Sequence, residues 1–361
     1  MARPRLLASL DVATITTTLA LVGIGLLSIA SVTRDAAGAP WRMQLAWLLV
    51  AAVVAAIIVA VDYHVWAEAV LFLHGAVLLL LVAVLFVGRE VGGNRSWLVL
   101  GPLRLQPSEL AKWTTCLWLA VYLAKRVRAG AGLRELTEMG LIAGVPMALI
   151  AAQPDMGTAL IFLPIYLAAL VMGGVRWKVI VGIGLVGLLL APMAWLALED
   201  YQQERIRTVL DPGRDPQGFG YQMRQSKIAI GSGGVLGRGV FQGTQSQLDF
   251  LPAQHTDFVL AVFAEQFGFV GAAVVLGLFY YLFQRGIVAA RSAQDRLGTY
   301  ACVLVVAWLA GQVGINVGMV LGRLPTIGVP LPLLSYGGSS LVATLCGVAV
   351  IVNVRTRRFV N

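Results

Sequence analysis

Acids, amines and hydroxyls gather in four short strings of this sequence, and each string carries groups that a proton transfer or an anion would use. The first runs Gln106-Pro107-Ser108-Glu109-Leu110-Ala111-Lys112, preceded by Asn94-Arg95-Ser96-Trp97. Glu109 and Lys112 are three residues apart, which puts them on one helix face where they can pair. Ser108 is expected to cap the helix that starts there, with Glu109 complementing its positive end. A structural ion pair and a functional one are both open readings. The second string, Gln153-Pro154-Asp155-Met156-Gly157-Thr158, reads first as a helix start with Asp155 as its N-cap. The third is Leu251-Pro252-Ala253-Gln254-His255-Thr256-Asp257-Phe258. Either Asp257 caps the next helix, or Thr256 does so and frees Asp257 as a general base or cation ligand. Glu265 lies two turns further on, nearly on the same side, and His255 reads as a hydrogen-bonded surface histidine. The fourth string spans 322–340 and ends Leu333-Leu334-Ser335-Tyr336-Gly337-Gly338-Ser339-Ser340. It is apolar, yet Pro325, Pro330 and Pro332 forbid a continuous helix. Irregular backbone at membrane depth survives only inside protein or beside a wet cavity. This string should therefore shape a cavity wall, with Ser335 and Gly337 in it and Ser339 or Ser340 capping the last helix.

The elements that must hold these strings need lipid as their solvent. The chain is 58% hydrophobic and 12% charged, with mean hydropathy +0.82. A soluble domain carries about 25% charged residues, so no packed soluble core accounts for this sequence. Apolar runs able to cross a bilayer lie at 12–32, 41–61, 65–87, 110–125, 139–152, 156–173, 177–198, 258–283, 300–321 and 341–354. The expectation is an all-α integral membrane protein, residues 1–361 forming one polytopic domain of about ten transmembrane helices. Residues 199–256 would form a long extracytoplasmic loop between helices 7 and 8. Within it, 219–230 reads as an interfacial amphipathic helix, and Asp211-Pro212-Gly213 as a turn. The first apolar run lacks a cleavage site and reads as a retained helix.

Links on the N-terminal side hold about twice the Lys and Arg of the short links on the other side, among them Arg3, Arg5 and Arg128 against Arg34 and Arg95. Both termini are therefore expected in the cytoplasm. The net charge of +9 reads as topology and contact with anionic membrane lipid, and nucleic acid is excluded as a partner. Cys116, Cys302 and Cys346 lie in apolar runs without metal spacing and read as packing residues. The glycines of 231–239 do not form a dinucleotide fingerprint, because no strand–turn–helix unit surrounds them. They are either turn glycines or an anion-binding concavity.

The four strings, in this order on about ten helices, resemble the SEDS family of bacterial cell-wall polymerases over essentially the whole chain. The short tails look more like its elongation branch than its division branch. Ala264-Glu265-Gln266 departs from the family pattern, where many relatives carry two adjacent acids. The resemblance implies a peptidoglycan glycosyltransferase of the bacterial cytoplasmic membrane. Its substrate would be lipid II, a disaccharide-pentapeptide on undecaprenyl pyrophosphate, and its partner a class B penicillin-binding protein transpeptidase. Asp257 would then be the catalytic base. Glu109, Lys112, Arg95, Asp155, Ser335 and Gly337 would bind substrate or support the site. Lys112, Arg95 and cations of the long loop could face the leaving pyrophosphate. A divalent cation, Mg or Mn, suits a carboxylate–pyrophosphate site, with no organic cofactor. The competing reading is a lipid II flippase, since Pro- and Gly-broken segments with buried charge also suit transport. Its binding groups should lie near the midplane, whereas these strings cluster at one side.

Overall fold

A computed structural model describes residues 10–33, 40–91, 94–101, 103–126, 131–211 and 213–359. Arg3, Arg5, Arg34, Gly92, Gly93, Arg128 and Pro212 lie outside these residues. Apolar runs become helices because backbone amides in lipid must be paired within their own segment. The spanning helices are α1 (Val12–Thr33), α2 (Pro40–Ala60), α3 (Tyr63–Val87), α4 (Pro107–Arg126) and α5 (Leu133–Ala151). They continue with the pair α6 (Met156–Leu160) and α7 (Phe162–Met172), then α8 (Trp177–Ala197), α12 (Val259–Arg291), α13 (Arg296–Val320) and α14 (Gly338–Thr356). That matches the expected all-α membrane architecture. The 199–256 link is built from α9 (Asp200–Leu210), α10 (Phe219–Gly233) and α11 (Thr244–Gln247), so the helix expected at 219–230 is present.

Sequence periodicity missed one element. Residues between α3 and α4 form a three-stranded antiparallel meander, β1 (Arg89–Val91), β2 (Asn94–Leu100) and β3 (Leu103–Leu105), with Arg89 opposite Trp97 and Leu98 opposite Leu105. β1 and β3 have three residues each, and the seven of β2 do not alternate apolar with polar, so periodicity gives no signal. They exist because a link leaving the membrane still has to pair its amides.

The least apolar of these helices is enclosed by protein. α4 buries Ser108, Glu109, Lys112, Thr114 and Thr115 along with its apolar residues, and it packs against α3, α5, α13 and α14. Protein replaces lipid around it, and Glu109, Lys112 and Thr114 find partners there. At the end remote from Asp257, Asp11 before α1 receives Arg285 of α12 and, at 3.2 Å, Arg355 of α14. Burial alone would raise the Asp11 carboxyl, but the hydroxyl of Thr14 and the two guanidinium groups outweigh it and hold the pKa below the ordinary value.

α12 breaks at Gly268, which adopts φ 67°. The loop after α10 fills that break. Arg238 N–H donates to Glu265 O at 3.0 Å and Gly239 N–H to Gln266 O at 2.9 Å, while Phe269 N–H donates to Gly234 O at 2.9 Å. A Cβ on Gly237 would stand 2.2 Å from Gln266 O, so only glycine permits this approach. The amides of 238 and 239 are spent on α12, which excludes an anion concavity built from them.

Candidate active site

Asp257 is fixed by its backbone and left free at its carboxylate. The N–H groups of Thr256 and Asp257 both donate to Ala253 O at 3.1 Å, and Ala253 adopts φ 51° to make the turn. The Thr256 hydroxyl donates to the same carbonyl, so neither residue caps α12. On α13, Asn316 Nδ2 donates to Asp257 O at 2.9 Å and to Val329 O at 2.8 Å. It thereby clamps the Asp257 turn against the proline-rich segment. Ser335 Oγ donates to Thr256 O and accepts Leu331 N–H, and Tyr336 N–H donates to His255 O. Gln44 of α2 completes the clamp, donating to Ser335 O at 3.2 Å and accepting Gly337 N–H at 3.1 Å. Ser335 and Gly337 thus support the site by holding the turn. His255 stacks edge-on against Tyr336, 5.5 Å between centroids, and burial lowers its pKa.

The Asp257 carboxylate makes no hydrogen bond among the described residues; a Cβ on Gly328 would lie 3.6 Å from its Oδ2. Burial is the main cause that pushes its pKa up to about 6; Asp155 adds to the rise and the Arg205 guanidinium opposes it. Arg205, on α9, stands 5.4 Å over the Tyr201 ring and 4.6 Å over Phe219, and its Nε has no partner among the described residues. Burial lowers the pKa of this guanidinium, against the pull of Tyr201, Asp257 and Asp155. Asp155 is the N-cap of α6, as its position suggested, accepting Thr158 N–H at 3.1 Å. Its other oxygen accepts Gln106 Nε2 at 3.0 Å. Burial raises its pKa, Thr158 opposes that, and Glu109 reinforces it. Two acids and one guanidinium from three separate elements therefore act on one another at one end of the bundle.

The Glu109–Lys112 pair forms, at 2.8 Å, with both side chains buried. Lys112 also donates to Gln312 Oε1 at 3.1 Å and lies 5.4 Å from the Trp308 ring centroid. Gln312 in turn donates to Pro330 O at 2.9 Å. The pair therefore braces the segment that holds Asp257. This corrects the expectation that Lys112 faces the leaving group, because an amine with 0% exposure and two partners is not presented to the cavity. Three further expectations change. Ser108 is inside α4 with an unpartnered hydroxyl, since Pro107 begins the helix. Ser339 does not cap α14, whose cap is Gly337; it accepts Gln106 N–H at 3.0 Å and donates to Arg104 O. Arg95 is exposed on β2 beside α3, where the described contacts do not join it to the acids. Glu265 belongs to loop anchoring, accepting Gln245 N–H at 2.9 Å and Ser246 N–H at 3.1 Å.

Arg205 was one loop cation among several in the sequence, and Gln44, Gln312 and Asn316 were passed over. A usable signal existed for the amides: Gln312 and Asn316 are polar, four apart, on one face of an apolar span.

The family model described as a cell cycle protein, covering FtsW, RodA and SpoVE, matches residues 8–359. Peptidoglycan glycosyltransferase MrdB of Escherichia coli (strain K12) is 40% identical over 316 residues, 87% of this chain and 84% of that protein. A probable peptidoglycan glycosyltransferase FtsW of Geobacter sp. (strain M18) is 40% identical over 301 residues, 82% and 81% respectively. Among solved structures, a chain from work on coordinated polymerization and crosslinking by a peptidoglycan synthase complex superposes with TM-score 0.84 at 32% identity, covering 98% of this chain and 99% of that one. The Thermus thermophilus rod shape determining protein RodA gives TM-score 0.73 at 29% identity, with 98% of each chain covered. This multi-pass membrane chain belongs to the FtsW/RodA/SpoVE family.

Proposed function

We propose that this protein is a peptidoglycan glycosyltransferase that polymerises lipid II on the outer face of the cytoplasmic membrane, with Asp257 as its base, in service of cell elongation and shape. The observation that carries the residue assignment is the pairing of a rigidly held Asp257 backbone with an unbonded carboxylate facing Arg205 and Asp155. The sugar 4-hydroxyl of one lipid II attacks the anomeric carbon of the growing chain's lipid-linked sugar. Its proton passes to Asp257, the new glycosidic C–O bond forms, and the C–O bond to pyrophosphate breaks, releasing lipid pyrophosphate. A base with a pKa near 6 is ionised at neutral pH yet basic enough to accept that proton. Arg205, the guanidinium whose charge acts on Asp257, is the cation best placed for the pyrophosphate.

Among the described residues no three His, Cys, Asp or Glu groups converge on a metal position. Mg or Mn, if used, would take its ligands mainly from the substrate's pyrophosphate and water, the manner in which Mg with few protein ligands is held. Bound there, it would offset charge on the leaving group. The N-terminus is assigned to the cytoplasm, which puts Asp257, Arg205 and the 199–256 segment outside. The likeness to a chain from a peptidoglycan synthase complex that coordinates polymerization and crosslinking supports a crosslinking partner, for which we take a class B penicillin-binding protein.

The test is strand synthesis from purified lipid II in detergent micelles, with the partner transpeptidase and Mg present. Micelles have no second compartment, so glycan strands mean catalysis. A protein that moves lipid II across vesicles but makes no strands in micelles would replace this proposal with transport.

A further inference from the structure

A second concavity lies at the end of the bundle remote from Asp257. α4 carries Glu109 and Lys112 near its start and Lys125 and Arg126 at its end, roughly 20 Å further along. There α3, α4 and α5 part to leave a groove of about 630 Å³, walled by Val70, Leu71, Leu78, Trp118, Leu141 and Val145. Leu71, Leu141 and Val145 are 60%, 58% and 42% exposed, so the groove opens sideways to lipid. It continues into a smaller cup of about 210 Å³ bounded by His64, Glu68, Lys125 and Leu297; Glu68 and Lys125 line both.

The polar groups define what this cup takes. His64 Nδ1 is 2.8 Å from Asp62 Oδ1, and its Nε2 is 2.7 Å from Asp295 Oδ2. Both His64 ring nitrogens are thus engaged by carboxylates, and the ring is not free for a ligand. Glu138 on the groove's rim is paired with Arg134 at 2.9 Å. Among the described residues, Lys125 has no carboxylate within ion-pair distance and Glu68 has no cation. The cup thus offers one free ammonium and one free carboxylate side by side. Deeper in the groove is a third unsatisfied group. His74 is 1% exposed, its Nδ1 lies 3.1 Å from Thr114 Oγ1, and its Nε2 has no partner among the described residues. It stands six residues beyond Glu68 on α3, roughly 9 Å along the helix.

We infer that this groove and cup bind one membrane phospholipid with a phosphoethanolamine headgroup, in the leaflet remote from Asp257. The phosphate pairs with Lys125 and the primary ammonium donates to Glu68. One acyl chain follows the apolar wall. Head-group pockets between membrane helices are an established use of such basic rims. A zwitterion suits this rim because Lys125 and Arg126 can take its phosphate while Glu68 needs a cationic group. A choline headgroup cannot donate to Glu68, and an anionic headgroup leaves Glu68 facing a net negative charge.

The experiment is native mass spectrometry of the delipidated full-length protein in detergent, titrated separately with dioleoyl-phosphatidylethanolamine, -phosphatidylcholine and -phosphatidylglycerol. The wild type should retain phosphatidylethanolamine about fivefold more strongly than phosphatidylcholine, the net value of the one hydrogen bond that choline cannot make. Glu68→Gln should remove that preference, whereas Lys125→Gln should weaken retention of all three lipids alike and leave the preference in place. Glu68→Lys should reverse it toward phosphatidylglycerol. Equal retention of the three lipids by the wild type, a wild-type preference for phosphatidylglycerol, or unchanged preference in Glu68→Gln would each overturn the inference. The wild-type comparison stands whether or not a variant folds.

Discussion

Removing the amine of Lys112 should cost far more than removing the whole Glu109–Lys112 pair. In Lys112→Met the apolar stem is kept, so packing changes little. Glu109, however, stays 1% exposed and loses the ammonium at 2.8 Å, while its second oxygen has no partner among the described residues to begin with. An uncompensated buried charge costs about 3–5 kcal/mol. At roughly 2–4 °C per kcal/mol, that lowers the melting temperature by on the order of 10 °C. Adding Glu109→Gln removes the orphaned charge and should recover most of the loss. A double-mutant cycle should then show about 2–4 kcal/mol of coupling. Thermal unfolding in detergent, followed by intrinsic fluorescence, reads all four proteins. Polymerisation should follow the same pattern, because Lys112 reaches the Asp257 clamp through Gln312 and Pro330 O. Single-variant shifts that simply add, within about 0.5 kcal/mol, would refute the pairing as the reason these residues matter.

Three more outcomes follow from the site. Asp257 is active when ionised and its carboxyl titrates at about 6. Polymerisation should therefore be half-maximal near that pH and fall about tenfold per unit below it; a flat profile from pH 5 to 7 contradicts the base assignment. Arg205→Gln should slow polymerisation by about 10- to 100-fold and move the acid limb to higher pH, since the guanidinium opposes the rise at Asp257. An unmoved limb would mean that Arg205 serves packing alone. Glu265→Gln puts an amide donor where the carboxylate receives Gln245 and Ser246 N–H. The 234–256 segment should become more open to protease with no shift in the pH profile; unchanged proteolysis would count against its anchoring role.

The sequence carried the spanning helices well because lipid leaves a chain few options, and apolar length is nearly the whole signal. Asp155 and Asp257 were legible for a related reason, since an acid at a helix start beside lipid needs a stated cause. Geometry in three dimensions was not legible. Lys112 looked like a cation for the cavity until Gln312 and Trp308, some 200 residues away in sequence, enclosed it. Ser108 and Ser339 sit where capping rules point, yet Pro107 and Gly337 set those helix starts instead. The glycines of 231–239 suggested turns or an anion site, whereas Gly233 and Gly237 are required by the backbone of a broken α12 pressed against them. Arg205 became a candidate only when α9 brought it to Asp257, because periodicity inside a long polar link says nothing of where its helices land.

The most direct test compares wild type with Asp257→Asn in a single-turnover assay on purified lipid II, with the partner transpeptidase and Mg present. Asparagine keeps the shape and leaves the Asn316, Ser335 and Tyr336 clamp on the backbone untouched. The account expects a folded variant that binds lipid II as the wild type does and forms no glycosidic bond. Strand synthesis by Asp257→Asn at a rate near that of the wild type would contradict it.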